Sequence, residues 1–313
     1  MNWKTKAFIQ RACAALPAGS SQAAYYRIQR TLGSFRHPPD PLEKLVLLRD
    51  VLEDLSVLGF RIEGKRILEV GTGWRAEIPM LFYVLGAARI DTFDLNRYLR
   101  PELMLPSVAR LCALGERVVE ILGAYADPGA IRKRLASLRT VSTLDDFLQT
   151  AGIVYHAPAD ATATGLPAGS IDLHFSYTVF EHIPRPELVR ILLEANRLLD
   201  PAHGLSCHHI DFSDHFSHSD PSISAVNFLQ FESAEWTRYS SSPWAYHNRL
   251  RIYDFQAIYQ ESGQAVLSWK APVDERCLRV LQSGAVPLAS LYQGKPLDQL
   301  AVLGVRAISR QAR

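Results

Sequence analysis

From residue 66 onward, short apolar segments alternate with stretches of helical periodicity, and this alternation constrains the fold more than any other feature of the sequence. Continuous apolar strands separated by helices are typical of a parallel sheet that helices cover on both faces. The predicted strands are residues 66–70, 89–95, 152–158, 170–177, 204–211, 264–272 and 300–309. The sequence therefore predicts an α/β protein.

Two kinds of segment lie outside this alternation. Residues 1–62 are predicted to form an N-terminal helical cap, because leucine and valine recur at helical spacing after a proline-rich break at 35–41. We expect the cap to pack on the rest of the protein, and a substrate-gating lid is the alternative. Residues 63–313 form the predicted main domain, with a helical insertion at 97–150 and a second insertion at 212–250.

Composition excludes several classes of protein. The net charge of +2 does not indicate a nucleic-acid or membrane-surface partner, and no apolar run is long enough to predict a membrane span. The N-terminal residues are predicted to form a helix and not a signal peptide. Four cysteines lie far apart without a CxxC pair, which indicates reduced thiols and no structural zinc site. We therefore expect a cytoplasmic protein.

The loop after the first predicted strand has the features of a nucleotide-binding turn. In open α/β sheets, ligands bind beyond the carboxyl ends of the strands, where glycine lets the backbone approach them. Gly71 and Gly73 lie at this point, and Asp94 ends the second strand, at a spacing typical of a carboxylate that binds ribose hydroxyls. Both NAD and S-adenosylmethionine require such a contact.

The neighbours of these glycines favour the second ligand. The third glycine of a dinucleotide fingerprint is absent, and Trp74, Arg75 and Pro79 make the region bulky where a pyrophosphate would need a helix N-terminus. Glu69, near the end of the first strand, adds negative charge. A carboxylate at this position suits a ligand that carries an ammonium and a sulfonium group.

With these residues in place, the sequence resembles the class I S-adenosylmethionine-dependent methyltransferases. The resemblance rests on "LEVGTG", on "IDTFDLN" and on "PADATATGLPAGSIDLHFSYTVFEHI", and it continues through "ANRLLDPAHGLSCHHID" over about residues 63–211. The chain departs from the family's pattern in the absent third glycine and in "PAHG" where the family has Pro-Gly-Gly. The resemblance implies a seven-stranded, Rossmann-like, mostly parallel sheet with strand order 3-2-1-4-5-7-6.

The resemblance also implies which residues bind S-adenosyl-L-methionine. Glu69, Gly71 and Gly73 would hold the methionine end of the cofactor, and Asp94 the ribose. Asp160 and Ala161 would hold the adenine. The remaining predicted cofactor-binding residues are Thr72, Leu95 and Tyr177.

Candidate catalytic residues follow the fourth and fifth strands. Methyl transfer to oxygen usually needs a base near the sulfonium, and an imidazole held by a carboxylate is an efficient one. The candidates are His182, His209, Asp211 and His215. Two alternatives stay open, since Glu181 and His182 would also serve to anchor a helix, and the His/Asp-rich segment 203–220 would also form a structural polar network. No metal is predicted, because the segment lacks a regular ligand spacing, although such clusters do bind divalent ions.

The insertion at 212–250 is predicted to act as a substrate lid. Its aromatic side chains would stack on an acceptor, and its amide and guanidinium groups would hold oxygen atoms. The predicted substrate-binding residues are Trp244, Tyr246, Asn248 and Arg249. The alternative is that the aromatic residues only seal the insertion against the sheet.

These observations predict a methyltransferase that acts on a small-molecule or glycan acceptor, most readily on oxygen. An NAD(P)-dependent oxidoreductase on a related sheet and a non-catalytic protein of the same fold are the alternatives. Nucleic acid is not an expected substrate, because the chain has no Asn-Pro-Pro-Tyr-type element after the fourth strand and no focused basic patch.

Overall fold

The structure, a computed structural model, describes residues 1–31, 33, 35–37 and 40–312. Its centre is one seven-stranded sheet with the order β3-β2-β1-β4-β5-β7-β6. The strands are β1 (Arg66–Val70), β2 (Arg89–Phe93), β3 (Ile153–His156), β4 (Leu173–Tyr177), β5 (Leu205–Asp211), β6 (Gln264–Lys270) and β7 (Gly304–Gln311). This order confirms the predicted seven-stranded, Rossmann-like sheet.

Strand direction follows the predicted pattern. The pairs β1–β2, β1–β4, β2–β3 and β4–β5 are parallel, whereas β7 is antiparallel to both of its neighbours. The carboxyl ends of the parallel strands therefore meet at one edge of the sheet, where ligands bind in folds of this kind.

Helices lie on both sides of the sheet. In chain order they are α1 (Trp3–Ala14), α2 (Ala18–Thr31), α3 (Pro41–Val57), α4 (Glu77–Val84), α5 (Pro101–Leu114), α6 (Glu116–Leu122), α7 (Pro128–Leu138), α8 (Leu144–Thr150), α9 (Arg185–Leu198), α10 (Ser233–Ser240), α11 (Ile252–Glu261), α12 (Glu275–Gln282) and α13 (Leu297–Leu300). Part of the predicted proline-rich break, residues 38 and 39, lies outside the described residues. Among the described residues, no helix is long and apolar enough to cross a bilayer.

The buried apolar residues form one cluster on each face of the sheet. Helices α3 to α8 cover one face, with Leu48 and Phe82 as typical members, and helices α9 and α11 cover the other, with Leu192 and Phe255. Strands that are buried on both faces read as continuous apolar runs, which is why their positions could be predicted from the sequence.

A third apolar cluster joins the N-terminal helix α1 to the insertion that follows β5. The backbone N–H of Trp3 donates to Asp220 (2.8 Å), and the indole ring of Trp3 packs on Phe216 and Tyr239 with ring centroids 5.6 and 4.7 Å apart. The N-terminal helix and the insertion after β5, whose residues Trp3 and Asp220 are 217 positions apart, thus pack together through one shared apolar cluster.

Candidate active site

The loop between β1 and α4 depends on its two glycines. Gly71 has φ of +86° and Gly73 has φ of +69°, a region of backbone conformation that glycine adopts without strain. A Cβ atom on Gly71 would also overlap the side chain of Val179. The loop therefore brings bare backbone against the end of β4, and its amides tie it to β2: the N–H of Gly71 donates to the Phe93 carbonyl (2.8 Å), and the N–H of Gly73 donates to the Asp94 carboxylate (3.2 Å).

Glu69 lies at the floor of this space with almost no exposed surface. Its carboxylate accepts a hydrogen bond from the hydroxyl of Thr92 (3.1 Å), and that hydroxyl also contacts the hydroxyl of Thr72. Burial raises the pKa of Glu69 well above its usual range, the Thr92 bond opposes this, and nearby Asp94 adds to it. A buried carboxyl of this kind favours a cationic partner, because a positive charge would restore its ionised form.

Asp94 stands opposite Glu69 and directly follows β2. Its carboxylate accepts hydrogen bonds from the Tyr155 hydroxyl (3.0 Å) and from the backbone N–H of Gly73 (3.2 Å). Burial raises the pKa of Asp94 to about 7, although both of these hydrogen bonds act to lower it. A carboxylate accepts up to about four hydrogen bonds, so Asp94 retains room for further donors.

These residues line a cleft of about 680 Å³ at the carboxyl edge of the sheet. The volume lies within the range of roughly 300–1,000 Å³ that small-molecule sites occupy. The lining residues are Tyr25, Phe35, Lys44, Glu69, Gly71, Thr72, Gly73, Trp74, Arg75, Ala76, Glu77, Ile78, Asp94, Tyr98, Tyr177, Thr178, Val179, His182, Pro243 and Trp244.

An aromatic wall closes one side of the cleft. Tyr25 of α2 stacks on Trp244 with ring centroids 4.3 Å apart, and the Trp244 indole N–H donates to the Ser21 hydroxyl (3.0 Å). Trp74 of the glycine loop packs on Tyr98 with ring centroids 5.1 Å apart. Aromatic rings in such pairs are held rigidly and offer flat apolar surface, which suits a cyclic ligand.

The end of β4 contributes a strained residue. Thr178 has φ of +51°, which is an outlier for a β-branched side chain, and its backbone N–H donates to the His209 carbonyl (2.8 Å). Strain of this kind is concentrated at functional sites because the surroundings must hold it in place. Tyr177, the preceding residue, stacks on His209 with ring centroids 4.8 Å apart, and the Lys44 ammonium lies 4.5 Å above its ring.

The predicted catalytic residues separate into two groups. His182 lines the cleft, and its Nδ1 donates to the backbone carbonyl of Tyr246 (2.8 Å). The protein that surrounds His182 lowers the pKa of its imidazole, and His215 lowers it further. One side of the ring is exposed, because it faces the cleft. His209 instead lies behind Tyr177 and lines a separate cavity beside Lys270 and Arg306.

Asp211 and His215 form a polar group beside His182. The carboxylate of Asp211 lies 3.3 Å from His215 Nε2 and 3.9 Å from His218 Nε2, and it accepts a hydrogen bond from the backbone N–H of Ser213 (2.7 Å). Burial alone would raise the pKa of Asp211, but His215 and Ser213 outweigh it and lower the pKa well below its usual range. The rings of His182 and His215 are 4.9 Å apart at their centroids.

The predicted substrate-binding residues also differ in their placement. Trp244 lines the cleft, and Tyr246 touches the site through its carbonyl oxygen. Asn248 instead donates to the carbonyls of Phe180 and Ile183 (2.8 Å each), so its amide fixes the turn between β4 and α9.

Arg249 is a buried structural residue. Its guanidinium donates to the carbonyls of Phe228 (3.1 Å) and Phe231 (2.8 Å), and it does not line the cleft formed by the described residues. These bonds hold the insertion together, which leaves Arg249 no free donor pair aimed at an acceptor. Arg249 was a candidate because a guanidinium carries several donors in one plane. In the folded chain these donors bind backbone oxygens.

The two residues predicted for the adenine, and Leu95, are not among the residues that line the cleft. Leu95 has 68% of its surface exposed, and Ala161 is buried in the cluster under α9. Asp160 is exposed, and its carboxylate accepts a hydrogen bond from the backbone N–H of Thr162 (2.8 Å). Their roles stay predictions.

Sequence reasoning did not identify several residues that line the cleft. Tyr25 and Lys44 come from the N-terminal helices, and Tyr98 follows β2. The sequence has no local signal for the first two, because their position depends on how the cap packs. Trp74 was noted only for its bulk, yet its place between Gly73 and α4 would have indicated a lining residue.

Comparisons with known proteins identify no close relative. No family model matches the chain, and no curated protein matches it. A solved structure from Pyrococcus horikoshii is 10% identical, over 92% of this chain and 98% of that one, with a TM-score of 0.48. A structure from Galdieria sulphuraria, described as a "putative sarcosine dimethylglycine methyltransferase", is 11% identical over 85% of this chain and 86% of that one, with a TM-score of 0.44. An S-adenosylmethionine-dependent methyltransferase structure from Mesorhizobium loti is 14% identical over 83% and 96%, with a TM-score of 0.43. None of these likenesses bears on which ligand the cleft binds.

Proposed function

We propose that this chain is an S-adenosyl-L-methionine-dependent methyltransferase that acts on a small-molecule or glycan acceptor, most readily on an oxygen atom. The observation that carries the proposal is the pair of buried carboxyls, Glu69 and Asp94, on either side of a glycine turn that opens into the cleft. The methionine end of the cofactor bears an ammonium group that complements Glu69, and its ribose hydroxyls complement Asp94. A pyrophosphate at the same place would further disfavour ionisation of both carboxyls, whose pKa values burial already raises.

The cleft divides into two parts under this proposal. The cofactor half comprises Glu69, Gly71, Gly73 and Asp94, and the acceptor half comprises Tyr25, Lys44, Tyr177, His182 and Trp244. The acceptor half combines flat aromatic surface with cationic and imidazole groups, which suits a cyclic acceptor that carries hydroxyl oxygens. The group of His182, His215 and Asp211 is the proposed source of the base that an oxygen acceptor requires.

Cofactor binding tests the proposal without knowledge of the acceptor. Titration calorimetry with S-adenosylhomocysteine is expected to show one binding site per chain, and the same ligand is expected to raise the unfolding temperature. NAD⁺ and NADH at equal concentration are expected to do neither. Stabilisation by NAD(H) without binding of S-adenosylhomocysteine would replace the proposal with an oxidoreductase, and the absence of both would leave a non-catalytic protein of this fold.

A further inference from the structure

The turn after β4 carries a buried carboxylate to which no side chain of the described residues donates a hydrogen bond. Glu181 is fully buried, and only the backbone N–H groups of Glu181 itself and of Asp211 lie near enough to favour its ionised form. An ionised carboxylate that is buried without a donor or a cation lowers the free energy of unfolding. A positively charged ligand would stabilise the ionised form of this group, because burial otherwise raises the pKa of Glu181 well above its usual range.

Two imidazoles lie next to this carboxylate. One ligand atom from each of Glu181, His182 and His215 lies within 4.8 Å of the other two. The three residues come from two separate segments, since His215 follows β5 and the other two follow β4. Two imidazoles and one carboxylate form a ligand set that divalent zinc and iron take in proteins, with further positions left open.

The hydrogen bonds of the histidines leave the required lone pairs free. A backbone carbonyl only accepts, so the bond to Tyr246 places the proton of neutral His182 on Nδ1 and leaves Nε2 as a free lone pair. Metal-binding histidines commonly have this arrangement, with the second ring nitrogen bound to a carbonyl. On His215, the Asp211 carboxylate lies 3.3 Å from Nε2, and because a carboxylate only accepts, the neutral ring would carry its proton on Nε2 and keep its lone pair on Nδ1.

A third histidine nearby is not a ligand. The Nδ1 of His247 accepts from the backbone N–H of Arg249 (3.2 Å), which places the proton of its neutral ring on Nε2. That Nε2 is buried without a partner among the described residues, and the ring lies 4.7 Å from that of His215 at the centroids. His247 is therefore placed to donate a hydrogen bond to an oxygen atom bound at the site.

The local charges are consistent with a divalent cation. The carboxylates of Glu181 and Asp211 together balance two positive charges when both are ionised. Lys6 also reaches this region, and its ammonium donates to the backbone carbonyl of His215 (3.2 Å). Its charge is offset by Asp214, which is buried beside it and acts to raise the pKa of Lys6 against the effect of burial.

We propose that Glu181, His182 and His215 form a binding site for a divalent transition-metal ion, with Zn²⁺ as the ion to test first. A small cavity of about 30 Å³ lies against His182 and His215, enough for an ion with a bound water by the usual requirement of roughly 10–15 Å³ per water. Ligand atoms around one zinc ion lie roughly 3–4 Å apart. Because the ligand atoms of Glu181, His182 and His215 lie within 4.8 Å of one another, side-chain shifts of about 1 Å would bring them to that separation.

The location links this site to the cleft. His182 and Trp244 line both the small cavity and the cleft, so a bound ion would stand beside the acceptor half. With the ion bound, His182 and His215 act as ligands instead of bases. That reassignment rests on the proposed methyl transfer, whereas the metal site itself does not. It departs from the expectation of no metal, which rested on the lack of regular ligand spacing within one segment, because here the ligands come from two segments.

Zn²⁺ titration calorimetry on metal-stripped, tag-free full-length protein tests the site. One Zn²⁺ per chain is the expected result, and Co²⁺ is expected to give visible ligand-field bands that Zn²⁺ abolishes. Glu181→Gln and His215→Gln should each weaken Zn²⁺ binding by at least about tenfold, since even groups that only orient ligands have effects of that size. The matched controls Glu235→Gln and His203→Gln alter exposed residues outside the cluster and should bind like the wild type.

Two results would overturn the site. One is the absence of Zn²⁺ binding to the folded wild-type protein. The other is unchanged Zn²⁺ affinity in Glu181→Gln, a variant that keeps the side-chain shape and removes a buried carboxylate, so it should fold even if His215→Gln does not. Circular dichroism of the metal-free variants identifies any that are unfolded. S-adenosylhomocysteine binding, measured on the same samples, reports on the cofactor half separately, so failure of one proposal is distinguishable from failure of the other.

Discussion

The cofactor half and the acceptor half of the cleft differ in how far apart their residues lie along the chain. Glu69, Gly71, Gly73 and Asp94 come from two adjacent strands and the loop between them. Tyr25, Lys44, His182 and Trp244 come from four separate segments that meet only because the cap packs on the insertion after β5. The position of the cofactor half is therefore determined by the sheet. The position of the acceptor half is determined by the cover, meaning the N-terminal cap (residues 1–62) together with the insertion at 212–250.

This difference predicts how substitutions affect ligand binding in each half of the cleft. The sheet is held by two apolar clusters, whereas the cover depends on a smaller cluster and on buried polar anchors. Substitutions in the cover should therefore disturb the acceptor half and leave the cofactor half in place. The following predictions test this separation from the largest expected effect to the smallest.

Arg251 is the strongest anchor of the cover. Its fully buried guanidinium donates to the carbonyls of Phe212, Leu300 and Val302, and although burial lowers its pKa to about 10, it stays charged at neutral pH. Arg251→Met should lower the free energy of unfolding by about 3–5 kcal/mol, because three buried carbonyls lose their donors. Denaturant titration measures this, and Arg117→Met, at an exposed helix position, should change it little.

The two buried carboxyls should govern cofactor affinity. Glu69→Gln and Asp94→Asn are each expected to weaken S-adenosylhomocysteine binding by roughly 10- to 100-fold, the usual effect of losing a charged hydrogen bond. Calorimetry measures the dissociation constants, with the exposed Glu235→Gln as the control. Wild-type affinity in both variants would show that the ligand does not use these carboxyls.

Cofactor affinity should also depend on pH through Asp94. Its pKa of about 7 is raised by burial, so below this value the carboxyl is largely protonated and must lose its proton to accept from two ribose hydroxyls. Binding of S-adenosylhomocysteine should therefore tighten from about pH 6 to about pH 8, by up to about tenfold. Glu69 and Tyr155 also face this region, so the assignment rests on Asp94→Asn, which should flatten the profile. A profile unchanged by that substitution would assign the titration to another group.

Trp244 provides the smallest expected effect on cofactor binding. Trp244→Leu removes the stack on Tyr25 and the bond to Ser21 in the acceptor half. Because distant sites contribute independently, S-adenosylhomocysteine affinity should stay within about threefold of the wild type. A loss as large as that of Asp94→Asn would mean that the two halves are coupled through the aromatic wall.

The same contrast explains what the sequence could predict. The strands and the glycine turn with Glu69 and Asp94 follow from local periodicity and from the loop chemistry of parallel α/β sheets. The strand order is implied only by the resemblance to the class I methyltransferases. Predicted strand ends differ from the observed ones by a few residues, as with β7, which begins at Gly304 and not at residue 300. Contacts such as Tyr25 on Trp244 could not be predicted, because no local pattern encodes which faces of the cap and the insertion meet.

Two polar residues show the same limit within one segment. Asn248 and Arg249 have the chemistry of ligand binding, and the sequence offers no means of telling whether their donors face a ligand or the backbone. Glu181 shows the reverse, since its place beside His182 leaves a helix anchor and a role at the site both open. Its lack of a side-chain hydrogen-bond donor among the described residues became evident only in the folded chain.

The most direct test of the proposed cofactor site is a crystal structure of the chain with S-adenosylhomocysteine. We expect the ribose hydroxyls to lie about 2.6–3.2 Å from the Asp94 carboxylate, the ammonium group beside Glu69, and the sulfur atom facing His182 and Tyr177. A ligand whose ribose and ammonium group lie away from both carboxyls would contradict the account.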